Sequence, residues 1–150
     1  MSNYYIDTSA LAKRYLTEIG STWVSILANP AAGNVIVVCD LTAVEFFSTL
    51  ARRQREGTVT PANALILQTR FLADFEREYL SVPLEGIVLS RARDLLTRYP
   101  LRSLDSIQLA SASEAVSVLG EPMIFVTADN TLLSAAISEG FSTDNPNAHP

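Results

Sequence analysis

Apolar residues along this chain fall into two alternating patterns. Tyr4-Tyr5-Ile6, Val35-Ile36-Val37-Val38-Cys39 and Met123-Ile124-Phe125-Val126 are short unbroken runs, each followed closely by polar residues. Runs of this length without polar alternation read as strands buried on both faces. Between them, apolar residues recur at three- and four-residue spacing, the pattern of helices with one buried face. That spacing predicts helices over Ala10–Leu16, from Gly20-Ser21 to Ala28, from Leu41 to Glu56, from Pro61 to Tyr79, from Glu85 to Tyr99, over Ser103–Leu119 and over Leu132–Glu139. Gly57 and Gly140 stand where helices should stop, and Pro100 breaks another. Ser81-Val82-Pro83 and Phe141-Ser142-Thr143 read as short outer strands. Strands alternating with helices predict an α/β fold, a parallel sheet with helices on both faces. No repeat, linker or low-complexity tract divides the chain, so one domain is expected over 1–150, with a loose polar tail from Asn145.

Four acids stand out against this pattern. Asp7 closes the first strand and is followed by Thr8 and Ser9; Asp129 follows the third by way of Thr127 and Ala128. Glu45 and Asp105 fall in the first turns of two predicted helices. Each has an ordinary explanation. Asp7 and Asp129 are good helix caps. Thr42-Ala43-Val44-Glu45 matches a capping box, which would leave Glu45 solvated. Asp105 is harder to dismiss, because it shares an apolar stripe with Leu109, Ala112 and Val116, where an unpartnered carboxylate is costly. Taken jointly, the carboxyl ends of parallel strands converge on one sheet edge, where the acids would meet. Four neighbouring carboxylates repel, and an all-oxygen site of this kind suits Mg²⁺ or Mn²⁺. Such a site polarises a phosphoryl oxygen and activates water.

Charge supports that concentration. The 150 residues carry 16 acids and 11 basic residues. Without the four acids, 16 − 4 = 12 acids face 11 basic residues, so most of the net −5 belongs to one place. Ten of the basic residues are Arg, the side chain best shaped for phosphate; Lys13 is the only lysine. Arg52 and Arg102 are candidates for holding substrate phosphates or acids of a protein partner. Other chemistries are poorly supplied. His149 is the only histidine and lies in the tail, where a solvated surface position is expected, so neither a histidine-pair nuclease nor a Ser-His-Asp triad is expected. Cys39 is the only cysteine and reads as packing, which excludes an internal disulfide. No Walker loop or dinucleotide fingerprint occurs. An Asp-based phosphatase would want a second Asp two residues after the first, where Ser9 stands. The start has no basic region and no long apolar run, so no signal peptide or membrane span is expected.

The blocks that carry these acids resemble those of PIN-domain ribonucleases of the VapC toxin type. They are Asp7-Thr8-Ser9-Ala10-Leu11 with Lys13-Arg14-Tyr15, Glu45-Phe46 with Leu50-Ala51-Arg52-Arg53, Leu101 through Ala110 around Asp105, and Phe125-Val126-Thr127-Ala128-Asp129 with Gly140-Phe141 and Asn145-Pro146. The resemblance implies a PIN-like three-layer α/β/α fold with a mostly parallel five-stranded sheet. It implies metal ligands at Asp7, Glu45, Asp105 and Asp129, with Thr127 and Thr8 or Ser9 helping to hold water. It implies Mg²⁺- or Mn²⁺-dependent cleavage of single-stranded or looped RNA; in-line attack by metal-activated water at such a site predicts 5′-phosphate and 3′-hydroxyl ends. It further implies a cytoplasmic homodimer inhibited by an antitoxin, with DNA contacted mainly through that partner. Asn130 and Ser106 depart from the pattern, standing where many relatives carry a basic residue and Ala. A non-catalytic PIN-like binding module and a housekeeping RNA-processing nuclease are the alternative readings.

Overall fold

The computed structural model describes residues 1–150. Five strands, β1 Asn3–Ile6, β2 Val35–Cys39, β3 Tyr79–Val82, β4 Ile124–Val126 and β5 Ser142–Asp144, form one sheet in the order β3-β2-β1-β4-β5. Every neighbouring pair is parallel. The chain steps outward from β1 through β2 to β3, then returns to the other side of β1 for β4 and β5. The switch point of the topology therefore lies between β1 and β4, whose register pairs Tyr5 with Phe125 and Ile6 with Val126.

Strand alternation builds two cores. Tyr5, Val37, Cys39 and Phe125 point to one face, where they meet Leu95 of α5 (Gly86–Arg98), Leu109 of α6 (Ser103–Leu119) and Leu132 of α7 (Asn130–Ser138). Ile6, Ile36, Val38 and Val126 point to the other, against Leu11 of α1 (Thr8–Leu11), Leu27 of α2 (Ser21–Leu27), Phe46 and Leu50 of α3 (Leu41–Arg55) and Phe71 of α4 (Pro61–Arg77). The result is the three-layer α/β/α architecture expected, with the helices on both faces closing an all-parallel sheet. No helix is long and apolar enough to cross a membrane.

Several element boundaries differ from the sequence pattern. The first helix starts at Thr8 and gives way to a 3₁₀ turn over Ala12–Arg14, because Asp7 caps it directly. Tyr79 opens β3 instead of ending α4. Its hydroxyl lies 2.6 Å from that of Tyr15, inside a cluster where Arg14 pairs with Glu78 at 2.7 Å. The last helix starts at Asn130 and the last strand runs over Ser142–Asp144.

The tail expected to be loose is docked. Asn145 caps a 3₁₀ turn over Pro146–Ala148, and Pro146 is buried. His149 is not free surface: its ring stacks on Trp23 with centroids 4.2 Å apart, and Nε2 lies 2.8 Å from Asp144 Oδ1. The dock depends on Gly20, which takes a left-handed φ of 86° and lets the Pro146 carbonyl approach where a side chain would stand. Gly20→Ala is therefore expected to destabilise the protein by about 1–3 kcal/mol, from backbone strain and collision together. Urea unfolding followed by Trp23 fluorescence measures it.

Candidate active site

Asp7 follows β1 at the switch point and is only 3% exposed. Its Oδ1 accepts hydrogen bonds from the Ala10 amide at 3.0 Å and the Ser9 hydroxyl at 2.7 Å. Its Oδ2 accepts one from Thr127 Oγ1 at 2.7 Å. Thr127 follows β4, so this last bond crosses the switch-point crevice. The cap and the site are thus one structure. The same hydroxyls also accept: Thr127 Oγ1 from the Asp129 amide at 3.1 Å, and Ser9 Oγ from the Ala128 amide at 3.1 Å. They lock the ends of β1 and β4 to each other around the carboxylate.

Glu45 departs from its capping-box reading. Helix α3 starts at Leu41 with Asp40 at the cap position, two residues too early for Thr42 to be its cap, and Glu45 turns inward. The buried side of α3 is Thr42, Phe46 and Leu50, whereas Val44 is 66% exposed. Glu45 Oε1 accepts from Thr8 Oγ1 at 3.0 Å and from Gln108 Nε2 at 2.6 Å. Gln108 is a residue of this site that the sequence pattern did not mark, since an amide among Ile107, Leu109 and Ala110 reads as an interruption of an apolar helix.

Asp105, in the first turn of α6, is half-buried as its stripe position suggested. Asp129 caps α7 by accepting from the Leu132 amide at 2.9 Å. Arg102 reaches both, with Nε 3.0 Å from Asp105 Oδ2 and a terminal nitrogen 3.6 Å from Asp129 Oδ2. Arg52 lines the same groove, as do Lys13, Glu18 and Arg53. Lys13 is buried and pairs with Glu18 at 3.1 Å; Glu18 also pairs with Arg53. Of the two departures from the family pattern, Ser106 donates to the Ser103 carbonyl at 2.7 Å, and Asn130 accepts from Asn145 at 3.1 Å.

All four acids therefore line one groove of about 660 Å³, together with Thr8, Ser9, Arg52 and Arg102. Burial pushes the Asp7 carboxyl up from 3.8 to about 6, against its three hydrogen bonds, and Asp105 adds to the rise. Burial also raises Glu45, opposed by Gln108 and Thr8 and reinforced by Asp105. These are anions short of positive charge. The donor set, carboxylates with flanking hydroxyls, suits a hard divalent cation. As the side chains lie, no three of them close around a single ion. The Arg102 guanidinium instead serves as the cation between Asp105 and Asp129. Asp7, Glu45, Asp105 and Asp129 are the residues that would hold such an ion, and the pairs Arg102 makes with Asp105 and Asp129 would then have to open.

The PIN domain family model matches residues 4–138. With the switch-point groove at the carboxyl edge of a parallel α/β/α sheet, this places the chain in a defined class, and the chain belongs to the PIN domain family. Among curated proteins, none matches. Solved structures share the fold at low identity. FitAcB from Neisseria gonorrhoeae superposes with a TM-score of 0.64 at 15% identity, covering 95% of this chain and 97% of that one. PAE2754 from Pyrobaculum aerophilum gives 0.65 at 18% identity, covering 98% and 85%. FitAB bound to an IR36 DNA fragment gives 0.63 at 14%, covering 95% and 94%.

The raised Asp7 carboxyl has a direct consequence for stability. Its folded value lies above its unfolded one, so the stabilisation is complete below pH 3.8 and is lost as pH rises through about 6. In buffer free of divalent metal, Asp7→Asn is expected to be more stable than the wild type at pH 7, by up to ~3 kcal/mol. The gain should vanish below about pH 4. Paired denaturation curves at the two pH values, with chelator present, measure it.

Proposed function

We propose that this chain is a divalent-metal-dependent endoribonuclease, using Mg²⁺ or Mn²⁺, and the toxin of a toxin–antitoxin pair. The observation that carries the reading is the convergence of Asp7, Glu45, Asp105 and Asp129, from four separate segments, on one groove at the switch point of the sheet. Family membership supports nucleic-acid hydrolysis, and the resemblance of the four acid blocks supports RNA as substrate. Asp7 and Asp105 are the principal ligands in this reading, with Glu45 and Asp129 completing the set. A divalent ion there supplies charge neutralisation, polarises a phosphoryl oxygen and lowers the pKa of a nucleophilic water.

The protein's own part is positional. Thr127 and Ser9 hold Asp7 by both oxygens and so fix its direction. Arg52 and Arg102 line the groove and would face the flanking phosphates, Arg102 once its pairs with Asp105 and Asp129 open. The groove is lined in part by exposed Val44 and Leu104, and the family resemblance points to single-stranded or looped RNA as its occupant. The same surface is where an antitoxin would act. The toxin reading carries with it a homodimer, a cytoplasmic location and DNA contact through the antitoxin; the comparison structure of FitAB bound to a DNA fragment is consistent with that last point for its own complex.

Cleavage of end-labelled structured RNA by the partner-free protein tests the proposal. Activity is expected with Mg²⁺ or Mn²⁺, none with excess chelator, and a fall of about a hundredfold or more in Asp7→Asn and Asp105→Asn. The products should carry 5′-phosphate and 3′-hydroxyl ends. A 2′,3′-cyclic phosphate would contradict the mechanism, because it requires attack by the RNA's own 2′-hydroxyl. Arg102 gives a second expectation with the opposite sign. Because it competes for Asp105 and Asp129 in an exposed ion pair, Arg102→Gln should tighten Mn²⁺ binding roughly 2- to 5-fold. Titration calorimetry reads that change without reference to RNA.

A further inference from the structure

Gln108 is 1% exposed, yet every polar atom of its side chain is engaged. Oε1 accepts from the Tyr5 hydroxyl at 2.7 Å. Nε2 donates to Glu45 Oε1 at 2.6 Å and to Thr8 Oγ1 at 3.1 Å, and lies 3.5 Å from Thr42 Oγ1. The direction of this chain of bonds is fixed by chemistry. An ionised carboxylate only accepts, so the amide nitrogen must face Glu45. The amide oxygen then faces Tyr5, which must donate. Tyr5 is fully buried, and the amide oxygen at 2.7 Å is the acceptor its hydroxyl needs there.

The consequence falls on one atom. Glu45 Oε1 receives two donors, Gln108 and Thr8, and Oε2 receives none from the protein. The helix α6 residue that holds Glu45 sits one turn beyond Asp105 and reaches across to α3, while Tyr5 anchors it from β1. Three elements thus agree on the orientation of a carboxylate that would otherwise be free to swing into solvent from an exposed helix start.

We propose that Gln108 is a positioning residue for Glu45: backed by Tyr5, it saturates one carboxylate oxygen and leaves the other for the divalent cation, and so sets the metal affinity of the groove. The inference rests on the metal-dependent reading above and deepens it. A buried amide that merely fills the core would affect stability alike with and without metal. A residue that orients a ligand changes metal binding itself, and outer partners of ligands typically contribute about 10- to 100-fold in affinity.

The test is Mn²⁺ binding by the full chain without RNA, read from the EPR signal of free Mn²⁺, beside the Mn²⁺-induced rise in melting temperature. Gln108→Met keeps the length and the helix preference and removes the polar ends. It is expected to weaken Mn²⁺ binding about 10- to 100-fold and to shrink the Mn²⁺-induced rise in melting temperature. Tyr5→Phe does not touch Glu45 and removes only the hydroxyl behind Gln108; a weakening of roughly 2- to 10-fold is expected. Wild-type affinity in a folded Gln108→Met overturns the inference and leaves the nuclease reading standing. If Gln108→Met does not melt cooperatively, Tyr5→Phe decides: unchanged Mn²⁺ affinity overturns the inference. A wild-type protein that takes up no Mn²⁺ removes the metal-dependent reading and this inference together.

Discussion

A carboxylate buried at the switch point of a parallel sheet is the constraint around which this structure is built. Asp7 sits between β1 and β4, and removing it from water is unfavourable enough to raise its pKa to about 6. It is retained because two hydroxyls and an amide, from both sides of the crevice, donate hydrogen bonds to it. The same bonds fasten the end of β4 to the start of α1, so the groove's shape and the acid's position depend on each other. A sheet whose strands diverge at this point leaves a crevice, and the chain fills it with charge instead of apolar side chains.

The remaining acids show graded ways of tolerating neighbours of the same sign. Glu45 is tied back by Gln108 and Thr8. Asp129 directs one oxygen into the N-terminus of α7. Asp105 shares Arg102 with Asp129. The groove is therefore stable as it stands, but only because helix ends, hydroxyls and one guanidinium each take part of the charge. A divalent cation would replace several of these partial solutions at once. Lys13, Arg53 and Glu18, which also line the groove, form a compact ion cluster with one net positive charge.

Low identity to FitAcB and PAE2754 alongside coverage of 95% and 98% of the chain fits this picture. A parallel sheet needs only apolar runs of the right length and helices with one apolar face, and many sequences supply both. What is much more restrictive is the placement of acids at strand and helix ends, which lie where backbone directions converge.

The amino-acid sequence by itself determined the fold class, the three central strands and the four acids. Each of those depends on local pattern: unbroken apolar runs, helical spacing, and carboxylates at element ends. It misplaced boundaries where local and tertiary preferences compete. Tyr79 extends an apolar helix pattern, but pairing with β2 and the hydroxyl of Tyr15 draw it into β3. Thr42 and Glu45 spell a capping box, yet packing of Phe46 and Leu50 rotates Glu45 toward Gln108. The polar tail looked solvated because nothing local reveals that Trp23 and Gly20 form its dock. Gln108 and the double pairing of Arg102 were decided only by tertiary structure. A hydrogen bond between residues 63 or 103 positions apart leaves no periodic trace, since its geometry exists only once three elements have been brought together.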